Sequence, residues 1–190
     1  MLKNILLCGV GGQGVLLAAK LIAHAAGAAG FRVFTNEIHG MAQRGGSVTA
    51  SVRFGECVSA PLFPLGAADL LFAMEEAEAL RNAHCLRPGG VAVVALQSVI
   101  PLTVTTGAAQ YPADMEERLK RVFGHAELCD CAGEARALGN PKLANTILLG
   151  VLSRHLPEIP ESCWRSAMEL LMKKELLEIN FHAFTKGRTP

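Results

Sequence analysis

The sequence has little charge and few aromatic side chains. Of its 190 residues only 18% are charged and 5% are aromatic, whereas an average soluble protein is about 25% charged. A formal net charge of +1 without a basic block offers no match to a nucleic-acid backbone, and so few aromatic rings offer no platform for stacked bases. We therefore expect no nucleic-acid partner.

The chain also lacks a long uninterrupted apolar stretch, whereas a membrane span needs about 18 such residues. Its richest run, residues 15–29, contains Lys20 and His24. That run follows a glycine-rich segment rather than a basic leader, so we expect neither a membrane span nor a signal peptide. Hydrophobic residues nevertheless make up 51% of the sequence. Because obligate interfaces resemble a core cut in half, this excess predicts that a permanent complex covers part of the surface.

Metal-binding patterns are missing as well. The six cysteines include no C-x-x-C pair, and only Cys129 and Cys131 are close in sequence. Iron–sulfur clusters and zinc need several thiolates at short spacings, and alternate residues of an extended strand point to opposite faces. The six histidines form no H-x-H or H-x-x-x-H pair. We predict no metal site and reduced, mostly buried thiols, which suit a cytoplasmic protein.

Strand and helix patterns alternate along most of the chain. Residues 47–54 alternate apolar and polar side chains, which is typical of a half-exposed antiparallel strand. The segment Arg87-Pro88-Gly89-Gly90 has the composition of a turn, and residues 97–112 that of a connecting loop. Other short apolar runs predict strands at 4–8, 32–35, 68–74, 91–96 and 127–131, and helical patterns lie at 15–29, 75–85, 113–123, 133–138, 142–155, 161–173 and 175–184.

These elements predict one α/β domain over residues 1–190. We expect a Rossmann-like, mostly parallel sheet with at least one antiparallel strand, helices on both faces and a helical C-terminal region. Asn145, a polar residue inside an apolar helical pattern, is expected to hydrogen-bond in the core or to a partner.

A glycine-rich loop joins the first predicted strand to the first helix. Glycine permits the tight turn, and the amides at the helix N-terminus attract an anion. A dinucleotide site also needs an acidic residue about twenty positions on, and Glu37 lies near that distance but past the predicted end of the second strand. Two interpretations stay open: close packing with an anion or partner contact, or a free-standing nucleotide-binding oxidoreductase. The loop contains Gly9, Gly11, Gly12, Gln13 and Gly14.

A second motif, residues 37–48, contains Gln43-Arg44 followed by Gly45-Gly46. Glycines leave the backbone open to close approach, and arginine supplies a planar donor fork suited to carboxylate or phosphate. The residues alone are equally compatible with a surface turn that carries a solvated arginine.

Taken together, the two motifs resemble the gamma-type domain of 2-oxoacid:ferredoxin oxidoreductases. The resemblance is strongest to the beta subunits of indolepyruvate ferredoxin oxidoreductases and runs nearly end to end. It includes G-V-G-G-Q-G at 9–14, M-A-Q-R-G-G-S-V at 41–48, S-V-R-F-G at 51–55, A-D-L-L at 68–71, M-E-E-A-E-A-L-R at 74–81, L-R-P-G-G at 86–90, G-N-P-K-L-A-N-T-I-L-L-G at 139–150 and N-F-H-A-F-T-K-G at 180–187.

The resemblance implies a complex that converts a 2-oxoacid and coenzyme A to an acyl-coenzyme A and carbon dioxide while reducing ferredoxin. It places thiamine diphosphate, magnesium and iron–sulfur clusters in a large partner subunit, since this chain lacks a G-D-G…N segment and cluster cysteines. Coenzyme A would bind at the interface as co-substrate, with Gln43, Arg44, Gly45 and Gly46 as candidate contacts to it or to the partner. No residue is expected to be catalytic, and a non-catalytic interaction module is the remaining alternative.

Overall fold

A six-stranded sheet organises the chain. The computed structural model describes residues 1–39, 45–100, 102–107 and 110–189. The strands follow the order β2-β3-β1-β4-β5-β6. Strands β1, β4, β5 and β6 pair in parallel, while β3 is antiparallel to both of its neighbours. This confirms the mostly parallel sheet and the antiparallel strand predicted over 47–54. The strands are β1 (Leu2–Val10), β2 (Arg32–His39), β3 (Ser47–Gly55), β4 (Ala68–Ala73), β5 (Leu86–Ala95) and β6 (Ala126–Cys129).

Helices cover both faces of the sheet, as the alternation of elements predicts. None of those in the described part of the chain is long and apolar enough to cross a membrane. Short 3₁₀ turns lie at Ala83–Cys85, Pro141–Leu143 and Lys174–Leu176. The α-helices are α1 (Val15–Ala28), α2 (Glu76–Arg81), α3 (Leu102–Thr105), α4 (Met115–Val122), α5 (Cys131–Ala137), α6 (Ala144–Ser153), α7 (Glu161–Leu171) and α8 (Leu177–Arg188).

Side-chain alternation along the strands divides the core in two. Ile5 and Leu7 of β1 point into the larger core, which also holds α1 and the C-terminal helices. Cys8 points to the opposite face, into a smaller core with residues of α2 and α4. The helical C-terminal region therefore packs on the same sheet as predicted, and α6 is buried along its whole length.

Several predicted boundaries are wrong, since α3 lies inside the loop predicted over 97–112 and α5 begins inside the strand predicted over 127–131. The turn expected at 87–90 lies inside β5, where the pairing with β4 jumps from Ala68 opposite Leu86 to Leu70 opposite Val91. The extra residues form a bulge, with Gly89 at φ +73°. A turn and a bulged strand have similar sequences, because both need residues that leave the extended conformation.

Candidate functional site

The glycine loop lies where the chain changes from one face of the sheet to the other. The helix after β1, α1, packs on the larger core, while the helix after β4, the parallel neighbour of β1, packs on the smaller one. Ligands of open α/β sheets bind in the crevice that forms outside the carboxyl ends of the strands at such a point. The loop and the end of β4 border this crevice.

The Gln13 side chain holds the loop against the end of β4. Its Oε1 accepts a hydrogen bond from the backbone N–H of Val10 at 2.7 Å, and its Nε2 donates to the carbonyl of Met74 at 3.0 Å. A Cβ on Gly9 would lie 2.8 Å from Gln13 Oε1 and 3.0 Å from Met74 Cβ. Gly9 and the Gln13 side chain therefore serve to hold the loop in place against the end of β4.

Two glycines of the loop adopt the left-handed conformation. Gly12 has φ +100° and open space around it, whereas Gly14 has φ +81° and lies against Asn145. Gly14 is the N-cap residue that immediately precedes α1. Because the first N–H groups of a helix have no partner within the helix, this end of α1 is a natural place for an anion.

The second glycine motif meets the first at this edge. The N–H of Gly11 donates to the carbonyl of Gly46 at 2.8 Å, and Val10 pairs with Ser47 at the start of β3. Gly45 has φ +76°. Gln43 and Arg44, the other candidate contacts, lie outside the described residues.

An open cavity of about 580 Å³ extends from the glycine loop to the start of α6 and the α7–α8 connection. Asn145 is 7% exposed there. Its Nδ2 donates to the carbonyl of Gln13 at 3.0 Å, which confirms the expected core hydrogen bond. Its Oδ1 is buried and has no hydrogen-bond partner among the described residues. Lys142 and Lys173 also line the cavity. Lys142 lies in the motif at 139–150 but is not among the predicted site residues, and Lys173 lies in none of the motifs.

The cavity thus combines the N-terminus of α1, two amines and one buried acceptor. Helix amides and lysines attract a negatively charged group, while the Asn145 oxygen needs a hydrogen-bond donor. The arrangement suits a ligand or a partner segment that carries a negatively charged group together with a hydrogen-bond donor. The cavity volume lies in the range of small-molecule sites.

Three carboxylates follow the end of β4 and are buried. Glu75, Glu76 and Glu78 are at most 8% exposed. Glu75 begins α2, because its Oε2 accepts the N–H of Glu78 at 2.8 Å, and its Oε1 accepts the Tyr111 hydroxyl at 2.8 Å. The Ser98 hydroxyl donates to Glu76. Burial, together with the nearby Glu75 carboxylate, raises the pKa of Tyr111 to about 12. These carboxylates build the start of α2, which is a structural role.

The neighbouring cysteines differ from the expectation for an extended segment. Strand β6 ends at Cys129, and α5 begins at Cys131, so the two thiols do not point to opposite faces. Both cysteines line one open cavity at this turn. All six cysteines are free thiols. Within residues 1–39, 45–100, 102–107 and 110–189, no group of three or more His, Cys, Asp or Glu side chains is placed to hold a metal ion.

Glu37, the acidic residue considered for a dinucleotide ribose, lies on β2. In the Rossmann arrangement the strand with this residue is next to the strand of the glycine loop. Here β3 lies between β2 and β1, which separates the two strands by two spacings, or roughly 10 Å. This geometry disfavours the nucleotide-binding oxidoreductase.

Comparisons with known proteins agree on one family. Residues 4–189 match the protein-family model described as pyruvate ferredoxin/flavodoxin oxidoreductase. The indolepyruvate oxidoreductase subunit IorB of Thermococcus kodakarensis is 37% identical over 97% of this chain and 93% of its own length. The protein of the same name from Archaeoglobus fulgidus is 38% identical over 98% of this chain and 94% of its own length.

Solved structures share the fold. The gamma subunit of a keto/oxoacid ferredoxin oxidoreductase from Geobacter sulfurreducens aligns with a TM-score of 0.72 at 21% identity, covering 97% of this chain and 95% of that one. A 2-oxoglutarate:ferredoxin oxidoreductase chain from Magnetococcus marinus aligns with a TM-score of 0.75 at 20% identity, covering 98% of this chain and 30% of that one.

Proposed function

Because the chain belongs to the pyruvate ferredoxin/flavodoxin oxidoreductase family, we propose that it is the small, gamma-type subunit of a 2-oxoacid:ferredoxin oxidoreductase. The observation that carries this conclusion is the 37% identity with an indolepyruvate oxidoreductase subunit over 97% of the chain. The complex oxidatively decarboxylates a 2-oxoacid to an acyl-coenzyme A and passes the electrons to ferredoxin. The names of the curated relatives favour an arylpyruvate such as indolepyruvate as the substrate.

A large partner subunit carries the thiamine diphosphate, magnesium and iron–sulfur clusters of this complex. The described part of the chain has no metal-binding group of side chains, and the sequence has neither a G-D-G…N segment nor a C-x-x-C pair. In cofactor enzymes the cofactor supplies the difficult chemistry and the protein supplies binding and orientation. This chain therefore contributes a surface and a contact site to the reaction rather than a reacting group.

The crevice at the glycine loop is the contact site. Lys142, Lys173 and the N-terminus of α1 offer positive charge and donors, and the Asn145 Oδ1 offers an acceptor. Coenzyme A has matching chemistry, since it carries phosphates together with amide and hydroxyl donors, and it is the co-substrate that would enter at the interface. An acidic segment of the partner subunit is the alternative occupant.

Reconstitution tests the proposal. The large subunit is purified with and without this chain, and reduction of ferredoxin is measured with indolepyruvate and coenzyme A. We expect activity only when both chains are present, with pyruvate and 2-oxoglutarate turned over more slowly. Full activity of the large subunit alone would show that this chain is not part of the enzyme. A preference for pyruvate would overturn the arylpyruvate assignment and leave the subunit assignment intact.

A further inference from the structure

The turn that joins β6 to α5 holds two cysteines together, away from the glycine-loop crevice. Asp130 lies between them with φ −78° and ψ 61°, which is the conformation of an inverse γ-turn. Its Oδ1 accepts the N–H of Gly133 at 2.8 Å, and a Cβ on Gly133 would overlap the Asp130 carboxylate. The turn is therefore fixed by this cap, and its conformation brings Cys129 and Cys131 close together on the wall of one cavity.

The two thiols differ in their access to solvent. Both line an open cavity of about 670 Å³. Cys131 is 1% exposed, whereas Cys129 is half-buried. Arg154 and Lys186 border the same cavity. A small molecule in this cavity would thus reach Cys129 first, with Cys131 directly behind it.

The surroundings also divide the two thiols by acidity. The hydrogen bond from Cys131 lowers the pKa of Cys129, and the Arg154 guanidinium adds to this effect against opposition from burial and Glu127. The same hydrogen bond and burial raise the pKa of Cys131. A half-buried thiol of lowered pKa beside a buried second thiol resembles the arrangement of redox-active cysteine pairs, in which the first thiolate attacks and the second resolves.

We propose that Cys129 and Cys131 form a reversible dithiol–disulfide pair, whose oxidant is a low-molecular-weight disulfide. The Cys129 thiolate attacks one sulfur of that disulfide, breaks its S–S bond and releases one thiolate. Cys131 then loses its proton and attacks the Cys129 sulfur, which expels the second thiol. The pair gives up two electrons and two protons, the small disulfide becomes two thiols, and a dithiol reductant reverses both steps.

Differential alkylation of the full chain tests the pair. The folded protein is incubated with glutathione disulfide, its free thiols are alkylated, and it is digested with trypsin. Residues 122–136 form one tryptic peptide that contains Cys129 and Cys131 and no other cysteine. We expect this peptide to be unalkylated and lighter by two hydrogens, and to regain both thiols after treatment with dithiothreitol. Cys57, which is exposed, is the control within the same chain and should stop at the mixed disulfide.

Two variants assign the roles. In Cys131→Ala the mixed disulfide should persist at Cys129, and alkylation of Cys129 at pH 7 should slow by about threefold for each unit by which its pKa rises, because lost thiolate outweighs gained nucleophilicity. In Cys129→Ala the buried Cys131 should stay unmodified while circular dichroism shows a folded chain. The proposal is wrong if peptide 122–136 keeps two free thiols while Cys57 reacts, or if the wild-type chain stops at a mixed disulfide on Cys129.

Discussion

Gly14 has the strictest requirement of the residues in the glycine loop. It combines φ +81° with a neighbour, Asn145 Nδ2, only 3.0 Å from where a Cβ would lie. We expect Gly14→Ala to lower the free energy of unfolding by about 1–3 kcal/mol, because an L side chain is strained there. Gly27→Ala is the matched control, since Gly27 lies in α1 with open space around it, and it should stabilise by about 0.5–1 kcal/mol. Urea unfolding of both variants measures the difference, and equal effects would contradict the conformational argument.

Tyr111 reports on the buried carboxylates at the start of α2. It is the chain's one tyrosine, and burial and Glu75 raise its pKa to about 12. The fold favours the neutral phenol, so the stability it contributes is complete below the unfolded pKa of about 10 and is lost as the pH rises from there through the folded pKa. The absorbance of the Tyr111 phenolate should appear at a higher pH in the folded chain than in the chain unfolded by urea. Glu75→Gln should lower the folded midpoint, whereas Glu116→Gln, on the exposed face of α4, should not change it.

Arg44 carries the most informative test of the second motif, although it lies outside the described residues. Arg44→Ala should leave the thermal stability of the isolated chain unchanged if the motif is the surface turn that its composition predicts, because exposed charges contribute little. In the complex, a contact with the partner subunit predicts weaker assembly, whereas a contact with coenzyme A predicts normal assembly and a raised KM for coenzyme A. Arg118→Ala, at an exposed ion pair with Asp114, is the control. Normal assembly and normal kinetics would show that the motif is only a turn.

Residue roles could be predicted only where the chain's own local geometry decides them. The strand–glycine–helix pattern placed Gly14 at the start of α1. The partners of Gln13 and Asn145 could not be predicted, since Met74 and Gln13 lie 61 and 132 positions away from them, respectively. A glycine can be assigned to a turn from its own conformational freedom. The role of a side-chain amide depends on partners that only the folded structure brings near it.

At the scale of elements, α6 and α8 pack backbone against backbone. A Cβ on Gly150 would overlap the carbonyl oxygen of Phe184, and a Cβ on Gly187 would overlap that of Ile147. We expect Gly150→Ala to cost about 1–3 kcal/mol, because the extra methyl must push the two helices apart. Gly124→Ala, where the space is open, is the control. Thermal unfolding that shows no difference between the two variants would mean that the helices separate without cost.

Element types could be read from periodicity, but element boundaries could not. The alternation over 47–54 predicted an antiparallel strand because one face of β3 points into the core and the other carries polar side chains. Residues 87–90 were expected to form a turn, yet β5 continues through them, because pairing with β4 on both sides of the bulge holds the strand together. Tertiary hydrogen bonds decided that segment against its local composition.

At the scale of the whole molecule, the order of the strands could not be predicted. Strand, helix and strand at the start of the sequence indicate a β1–α1–β2 unit with neighbouring strands, yet β3 folds back between them. This insertion needs only that β3 pair through backbone hydrogen bonds on both edges, and no local pattern encodes it. It nevertheless decides between functions, because it separates Glu37 from the glycine loop.

The isolated chain should therefore behave as an incomplete enzyme. We expect it to be colourless, monomeric or weakly self-associating, inactive with any 2-oxoacid, and without measurable affinity for NAD, because the acidic residue and the glycine loop are one strand too far apart. Adding the partner subunit should raise its unfolding temperature, since a partner that binds only the folded state stabilises it by mass action. A visible spectrum, gel filtration, dye reduction, calorimetric titration with NAD and a thermal scan with and without the partner measure these five properties. Dye reduction by the chain alone, or tight NAD binding, would favour the free-standing oxidoreductase. An unfolding temperature that does not change when the partner subunit is added would favour a protein that acts outside the complex.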